Sequence, residues 1–183
     1  MQIKNRIIIL LIMAFVAISS NAQHLSFMGV PMGGNLQTFI QSLKNKGLRI
    51  KYSGSHIDED WVNMTGDFWQ FNDVTILIKA PYIDKGVTSV TVQFARANRS
   101  TFSQLIQSLD KKYGKHTIER NVIGQGDTKY YWCTQSGNVE IWQTKYSKDD
   151  GKCNIEISYY DFPLVKREKE KNAARTKARA NDL

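Results

Sequence analysis

Histidine is scarce in this sequence: His24, His56 and His116 are the three among 183 residues. They fall near the N-terminus, in a loop and just after a helix, with neither the paired spacing of a metal site nor a nucleophile partner. We expect ordinary surface histidines, no metal and no catalytic residue. The acidic triplet Asp58-Glu59-Asp60 lacks the Asp-x-Asp-x-Asp-Gly geometry of a calcium loop and reads as solvated. Gly29, Gly33 and Gly34 precede a helix, but no Lys-Ser/Thr follows them, so a turn is expected in place of a phosphate cradle. No cofactor is implied. No apolar run approaches the ~20 residues that span a bilayer; the longest, residues 7–18, has twelve. A low-complexity linker is missing too: residues 94–99 run directly into the second helical pattern.

The N-terminus does carry a pattern. Lys4 and Arg6 precede the apolar run, and Ser19-Ser20-Asn21-Ala22 places small residues at −3 and −1 of a cut after Ala22. That is the layout of a secretory signal peptide. No cysteine lies near the cut, which excludes lipid attachment there. The expectation is an exported chain that starts near Gln23 and is periplasmic or secreted. The whole chain has 25 basic and 17 acidic residues, net +8; the leader holds two of the bases, and residues 166–183 hold seven bases against three acids. What is left, residues 23–165, has 16 bases and 14 acids. A nearly neutral body excludes a broad nucleic-acid-binding face, which needs clustered Lys and Arg.

The strongest positive signal is internal repetition. Leu36, Phe39, Ile40 and Leu43 have the spacing of one helix face, and Phe102, Leu105, Ile106 and Leu109 repeat it at a constant offset. Ile40-Gln41-Ser42-Leu43 recurs unchanged as Ile106-Gln107-Ser108-Leu109. Val74 and Ile76 answer to Val139 and Ile141, and Val90, Val92 and Phe94 to Ile155, Ile157 and Tyr159, at an offset shorter by one. A period of this length points to a duplicated supersecondary unit. One unit alone, about 65 residues long, would bury a marginal core.

Each unit reads as a helix followed by about four antiparallel strands. Gly33-Gly34-Asn35 breaks the chain before helix one and Lys46-Gly47 ends it; Ser100, with capping-box spacing from Thr101 to Gln104, opens helix two and Gly114 closes it. Alternation predicts strands at 48–52, 61–71, 74–79 and 87–95, with a hairpin turn near Asn72-Asp73. In the second unit it predicts 117–122, 129–134, 139–146 and 154–162. The fold class expected is α+β, a tandem duplication: signal 1–22, repeat one 23–97, repeat two 98–165, and a charged tail 166–183 that is helix-prone without an apolar stripe and is read as a frayed, solvated extension.

This plan resembles the β-lactamase inhibitory protein family, which has tandem helix-plus-four-strand units in an exported chain of this size. It is more loosely similar to the small lipoprotein subunit of the outer-membrane assembly machine, with one such unit. Phe27-Met28-Gly29-Val30-Pro31-Met32-Gly33-Gly34 carries the likeness, as a strand residue and Gly-containing turn before a helix. The same segment is similar to small secreted proteins of Gram-negative bacteria that begin Phe-x-Gly-x-Pro-x-x-Gly. The resemblance covers nearly all of residues 25–162 and implies a fold and a protein-binding role. The chain departs from the inhibitor family in having no cysteine pair in each unit, and none of the inhibitor's contact residues has a counterpart here.

Two cysteines in an exported chain favour a disulfide. Cys133 and Cys153, however, fall at opposite ends of the strand between them, on the order of 20 Å apart at ~3.3 Å per residue. A bond needs Cα atoms within roughly 7 Å, and the geometry outweighs the compartment.

Alternation also sorts the strand faces. With Val139, Ile141, Ile155, Ile157 and Tyr159 inward, Glu140, Trp142, Thr144, Glu156, Ser158 and Tyr160 point outward, and Thr75, Leu77 and Lys79 do so in the first unit. Leu77, Tyr131, Trp142 and Tyr160 are therefore the candidate binding residues on an open, aromatic sheet face, suited to a protein or an envelope polymer. Cover of these aromatics by the tail or by a second copy of the chain is the structural alternative. The functional expectation is a non-catalytic binding or interaction protein, inhibition of an envelope or host enzyme being one form of it. A small enzyme or glycan-binding protein with a cleft between the repeats is the alternative, and paired carboxylates facing one cleft favour it. A structural envelope component using the basic tail is the third.

Overall fold

The computed structural model describes residues 24–51, 61–81, 86–120, 128–144, 147 and 149–181. The signal segment, His56, the acidic triplet and residues 121–127 lie outside the described residues. Two short strands, β1 (Ser26–Phe27) and β2 (Val30–Pro31), open the fold as a hairpin. Met28 and Gly29 between them both have positive φ, 51° and 74°, as a two-residue type I′ turn requires. Helix α1 (Leu36–Lys44) follows, its first turn capped by Asn35 Oδ1 accepting from the Gln37 amide at 2.8 Å. Then come β3 (Arg49–Ile50), β4 (Trp61–Phe68), β5 (Phe71–Lys79) and β6 (Ser89–Ala97). Helix α2 (Arg99–Tyr113) leads into β7 (Thr117–Arg120), β8 (Thr128–Cys133), β9 (Gly137–Gln143) and β10 (Cys153–Asp161), and α3 (Phe162–Asn181) ends the chain. The fold is α+β, and among the described residues no helix is long and apolar enough to cross a membrane.

The remaining eight strands form one antiparallel sheet in the order β3-β4-β5-β6-β10-β9-β8-β7. Cross-strand register lines up one apolar row through its middle: Ile50, Met64, Ile76, Val92, Ile157, Ile141 and Tyr130. A second row holds Val62, Ile78, Val90, Tyr159, Val139 and Trp132. β-Branched and aromatic residues suit this half-buried pleat. Leu36, Phe39, Ile40 and Leu43 of α1 and Phe102, Leu105 and Leu109 of α2 pack onto these rows in a single core. The sheet thus has a face covered by α1 and α2 and an opposite face of polar and aromatic residues.

Several expectations change. Ile106 is half-buried at the rim of the core, unlike Ile40, Leu43 and Leu109. The β4–β5 turn is Trp69-Gln70, because Phe68 pairs with Phe71, which moves Asn72 and Asp73 into β5. The N-cap position of α2 is Asn98, and its side chain makes no capping bond because its Oδ1 accepts from Lys152 Nζ. Cys133 is exposed and Cys153 is buried, and no disulfide joins them.

The expected frayed tail is a helix that starts at Phe162, four residues before the charged stretch. Asp161, fully buried, explains its start. Its Oδ1 accepts from the Leu164 amide at 3.1 Å, an N-cap bond, and Leu164 itself is buried. The same carboxylate accepts from the Leu25 amide at 3.0 Å and lies 3.1 Å from His24 Nδ1. His24 is therefore a half-buried clasp between the first and last elements, not a free surface residue. Gly33 makes room for it, since a methyl group there would collide with the His24 ring. His116 also has a structural place: its Nδ1 sits 2.9 Å from Asp110 Oδ1 and its ring packs edge-on against Tyr130 and Trp132.

Candidate functional site

On the uncovered face the strand register sets a polar row beside the apolar ones. Asn63, Leu77, Thr91, Ser158, Glu140 and Tyr131 follow one another across β4, β5, β6, β10, β9 and β8. The flanking row brings Thr75, Gln93, Glu156 and Trp142 together, and Tyr160 pairs with Ser89 and Asn138 in the row on the other side. Side chains on one face of adjacent strands stand about 4.5–5.5 Å apart at Cβ. Where the rows meet, the face sinks into a groove of about 280 Å³ that includes Leu77, Gln93, Lys129, Trp142, Glu156 and Tyr160.

Three of the four residues expected from the sequence, Leu77, Trp142 and Tyr160, line this groove, and each is half-buried. Tyr131 shares the face by register, opposite Glu140, but does not line the groove. Glu140, Glu156 and Ser158 are legible in the sequence as outward residues of β9 and β10. Lys129 and Gln93 are not, because they enter only when β8 and β6 are brought to opposite sides of the β9–β10 pair.

The groove floor is extensively hydrogen-bonded. Thr91 and Ser158 hydroxyls lie 3.0 Å apart, and Gln93 Nε2 donates to Glu156 Oε1 at 3.0 Å. Lys129 Nζ stands 2.9 Å from Glu140 Oε2, while Asn138 Nδ2 donates to Glu140 Oε1 at 2.9 Å. The Lys129 and Glu140 side chains are 24% and 18% exposed, so this pair is shielded more than a typical surface ion pair. The site offers, among the described residues, two aromatic surfaces, two carboxylates and one ammonium, a chemistry of stacking and polar recognition. Among the described residues no group of three or more His, Cys, Asp and Glu side chains is placed to hold a metal.

A second apolar spot goes unannounced in the sequence. Trp69 at the β4–β5 turn is 45% exposed, with φ +54°, and forms part of a depression of about 310 Å³ with Phe71, Leu105 and Lys111. Trp69-Gln70 has no turn chemistry, so only the pairing of Phe68 with Phe71 reveals it.

Compared with known proteins, the chain matches no family model, no curated protein and no solved structure.

Proposed function

We propose that the protein is an exported, non-catalytic binding protein that engages another protein through the uncovered sheet face. The observation that carries this reading is the convergence of Leu77, Trp142 and Tyr160 on one groove among hydrogen-bonded polar neighbours. Aromatics ringed by polar groups are typical of interface hot spots. The test is capture of partners from the native envelope fraction by wild type and by Trp142→Ala, with thermal melting measured on both. Loss of a specific partner at an unchanged melting temperature supports the reading; a sharp thermal loss in Trp142→Ala would assign the residue to structure.

We further propose that the two halves derive from one duplicated helix-plus-four-strand unit. The strand order reads the same from either edge under the exchange of β3 to β6 for β7 to β10. The strand offset makes Val92 the counterpart of Ile157, and these two face each other across the central β6–β10 pair. Their neighbours Ile76 and Ile141, themselves counterparts, flank them on either side in the same row. The groove then lies where the two units meet, which also suits the alternative of a glycan-handling cleft. Glu140 and Glu156, both lining it, are the paired carboxylates that such a reading calls for. Turnover of a glycan polymer by wild type, lost in Glu156→Gln, would favour that alternative.

A further inference from the structure

Among the described residues the groove's charge is unbalanced: Glu140 and Glu156 face it against Lys129 alone. Glu140 is satisfied on both oxygens, by Lys129 and by Asn138. Glu156 is not. Among the described residues its carboxylate receives one hydrogen bond, from the neutral side-chain amide of Gln93, and pairs with no cation. A carboxylate has about four lone-pair positions to fill. Directly opposite Glu156 across β9 and β10 stands Trp142, and Tyr160 lies two positions beyond Ser158 on the same face. The Ser158 and Thr91 hydroxyls between them are bonded to each other. The open capacity is thus a single anionic acceptor beside an indole.

We propose, resting on the reading of this face as a protein-binding surface, that the groove receives an arginine side chain of the partner protein. Its guanidinium lies against Trp142 and pairs with Glu156. Guanidinium is planar, permanently charged and weakly hydrated, stacks on indole and donates two parallel bonds to a carboxylate. Size agrees: about 280 Å³ accommodates one long side chain. An anionic occupant would meet Glu156 unshielded. A neutral glycan could donate hydroxyls to Glu156 but would bring no countercharge to it, and hydrogen bonds between two charged partners are the stronger ones.

The test is a titration of the 15N-labelled protein with Ac-Gly-Arg-Gly-NH2, its uncharged citrulline counterpart and chitotriose. Trp142→Phe assigns the Trp142 indole cross-peak among those of the four tryptophans. The expected result is saturable movement of the Trp142 indole and Gln93 side-chain amide peaks with the arginine peptide. Citrulline should bind about tenfold more weakly, and Glu156→Gln should weaken the arginine peptide by about the same factor. Equal response to both peptides overturns the inference without recourse to any variant, as does a response to chitotriose alone. Partner capture separates the two levels of the claim. If Trp142→Ala loses the native partner and Glu156→Gln keeps it, the binding face stands and the arginine anchor falls. If neither variant loses the partner, both readings fall.

Discussion

Trp132 and Trp142 sit on neighbouring strands of one sheet and face opposite ways. Trp132, on β8, is 2% exposed in the covered face. Its indole N–H donates to Asp110 Oδ1 at 3.0 Å and to the Gly114 carbonyl at 2.9 Å, tying the sheet to the end of α2. Trp142, on β9, is half-buried in the open groove and lies opposite a carboxylate. The same side chain stands in two environments. Where its whole surface and its donor are satisfied by the fold, it is structure; where surface is left over beside unfilled acceptors, the fold does not use all of it, and the proposed binding role rests on that remainder.

Truncating the covered tryptophan should have the largest effect. Trp132→Ala should cost about 3–5 kcal/mol, the range for emptying a packed aromatic site, and lower the melting temperature sharply. A loss under about 1 kcal/mol, small for a core site, would mean that the covered face does not depend on this anchor. Next in size is the seam that belongs to neither face. Asp161→Ala removes the acceptor for the buried Leu25 and Leu164 amides and frees His24. Each buried donor left unpaired costs about 1–3 kcal/mol. Hydrogen exchange should show β1 and the first turn of α3 opening together, and exchange confined to one of them would show that the clasp is not shared.

A smaller, pH-dependent effect probes the Trp132 anchor from the helix side. Burial pulls the Asp110 carboxyl upward, but hydrogen bonds from His116 and Trp132 and the charge of His116 outweigh it, holding the group below the ordinary 3.8. A carboxyl whose folded value is depressed stabilises the fold at pH above its unfolded value, and that contribution is lost as pH falls through the folded one. Wild type should therefore lose stability relative to Asp110→Asn as pH drops below about 3.8. The side chain is 33% exposed, so solvent screening keeps the effect modest. Urea melts of both proteins from neutral pH into the acid range measure it; a stability gap that stays constant with pH would remove Asp110 as the source.

How far the sequence foretells these two faces follows from which contacts are local. Period-two alternation within β9 and β10 is enough to send Trp142, Tyr160 and Glu156 outward and Ile141, Ile157 and Tyr159 inward. Leu77 follows from the same alternation in β5. Tyr131 reaches the right face but not the groove, since a single strand's pattern gives the side of the sheet and not the position along it. Lys129 and Gln93 depend on strands far apart in the chain meeting across β9 and β10, a non-local fact. Asn98 is inconspicuous beside Ser100 and Thr101 because nothing nearby in sequence announces its bond to Lys152. The Asp161 clasp is likewise hidden: His24 and Asp161 are 137 residues apart.

Trp142→Ala should have the smallest effect on stability. Trp142 is half-buried, lines a groove with a polar floor, and is absent from the apolar core that holds Trp132. Trp142→Ala should thus leave a shallow groove open to water, not a sealed cavity, and the cavity penalty that dominates core truncations does not apply. The side chain is still half-buried, so the loss should be about 1 kcal/mol, ordinary for a point substitution. The melting temperature should move by a small fraction of the Trp132→Ala shift, while binding to the partner weakens. Removing a central aromatic anchor typically costs at least about 2 kcal/mol of binding free energy, or roughly thirtyfold in affinity. The ratio of binding loss to stability loss is the quantity to compare between the two tryptophans, by calorimetry and partner titration on each variant. A ratio well above one for Trp142 and well below one for Trp132 is the outcome that separates a recognition face from a core; equal ratios would collapse the distinction.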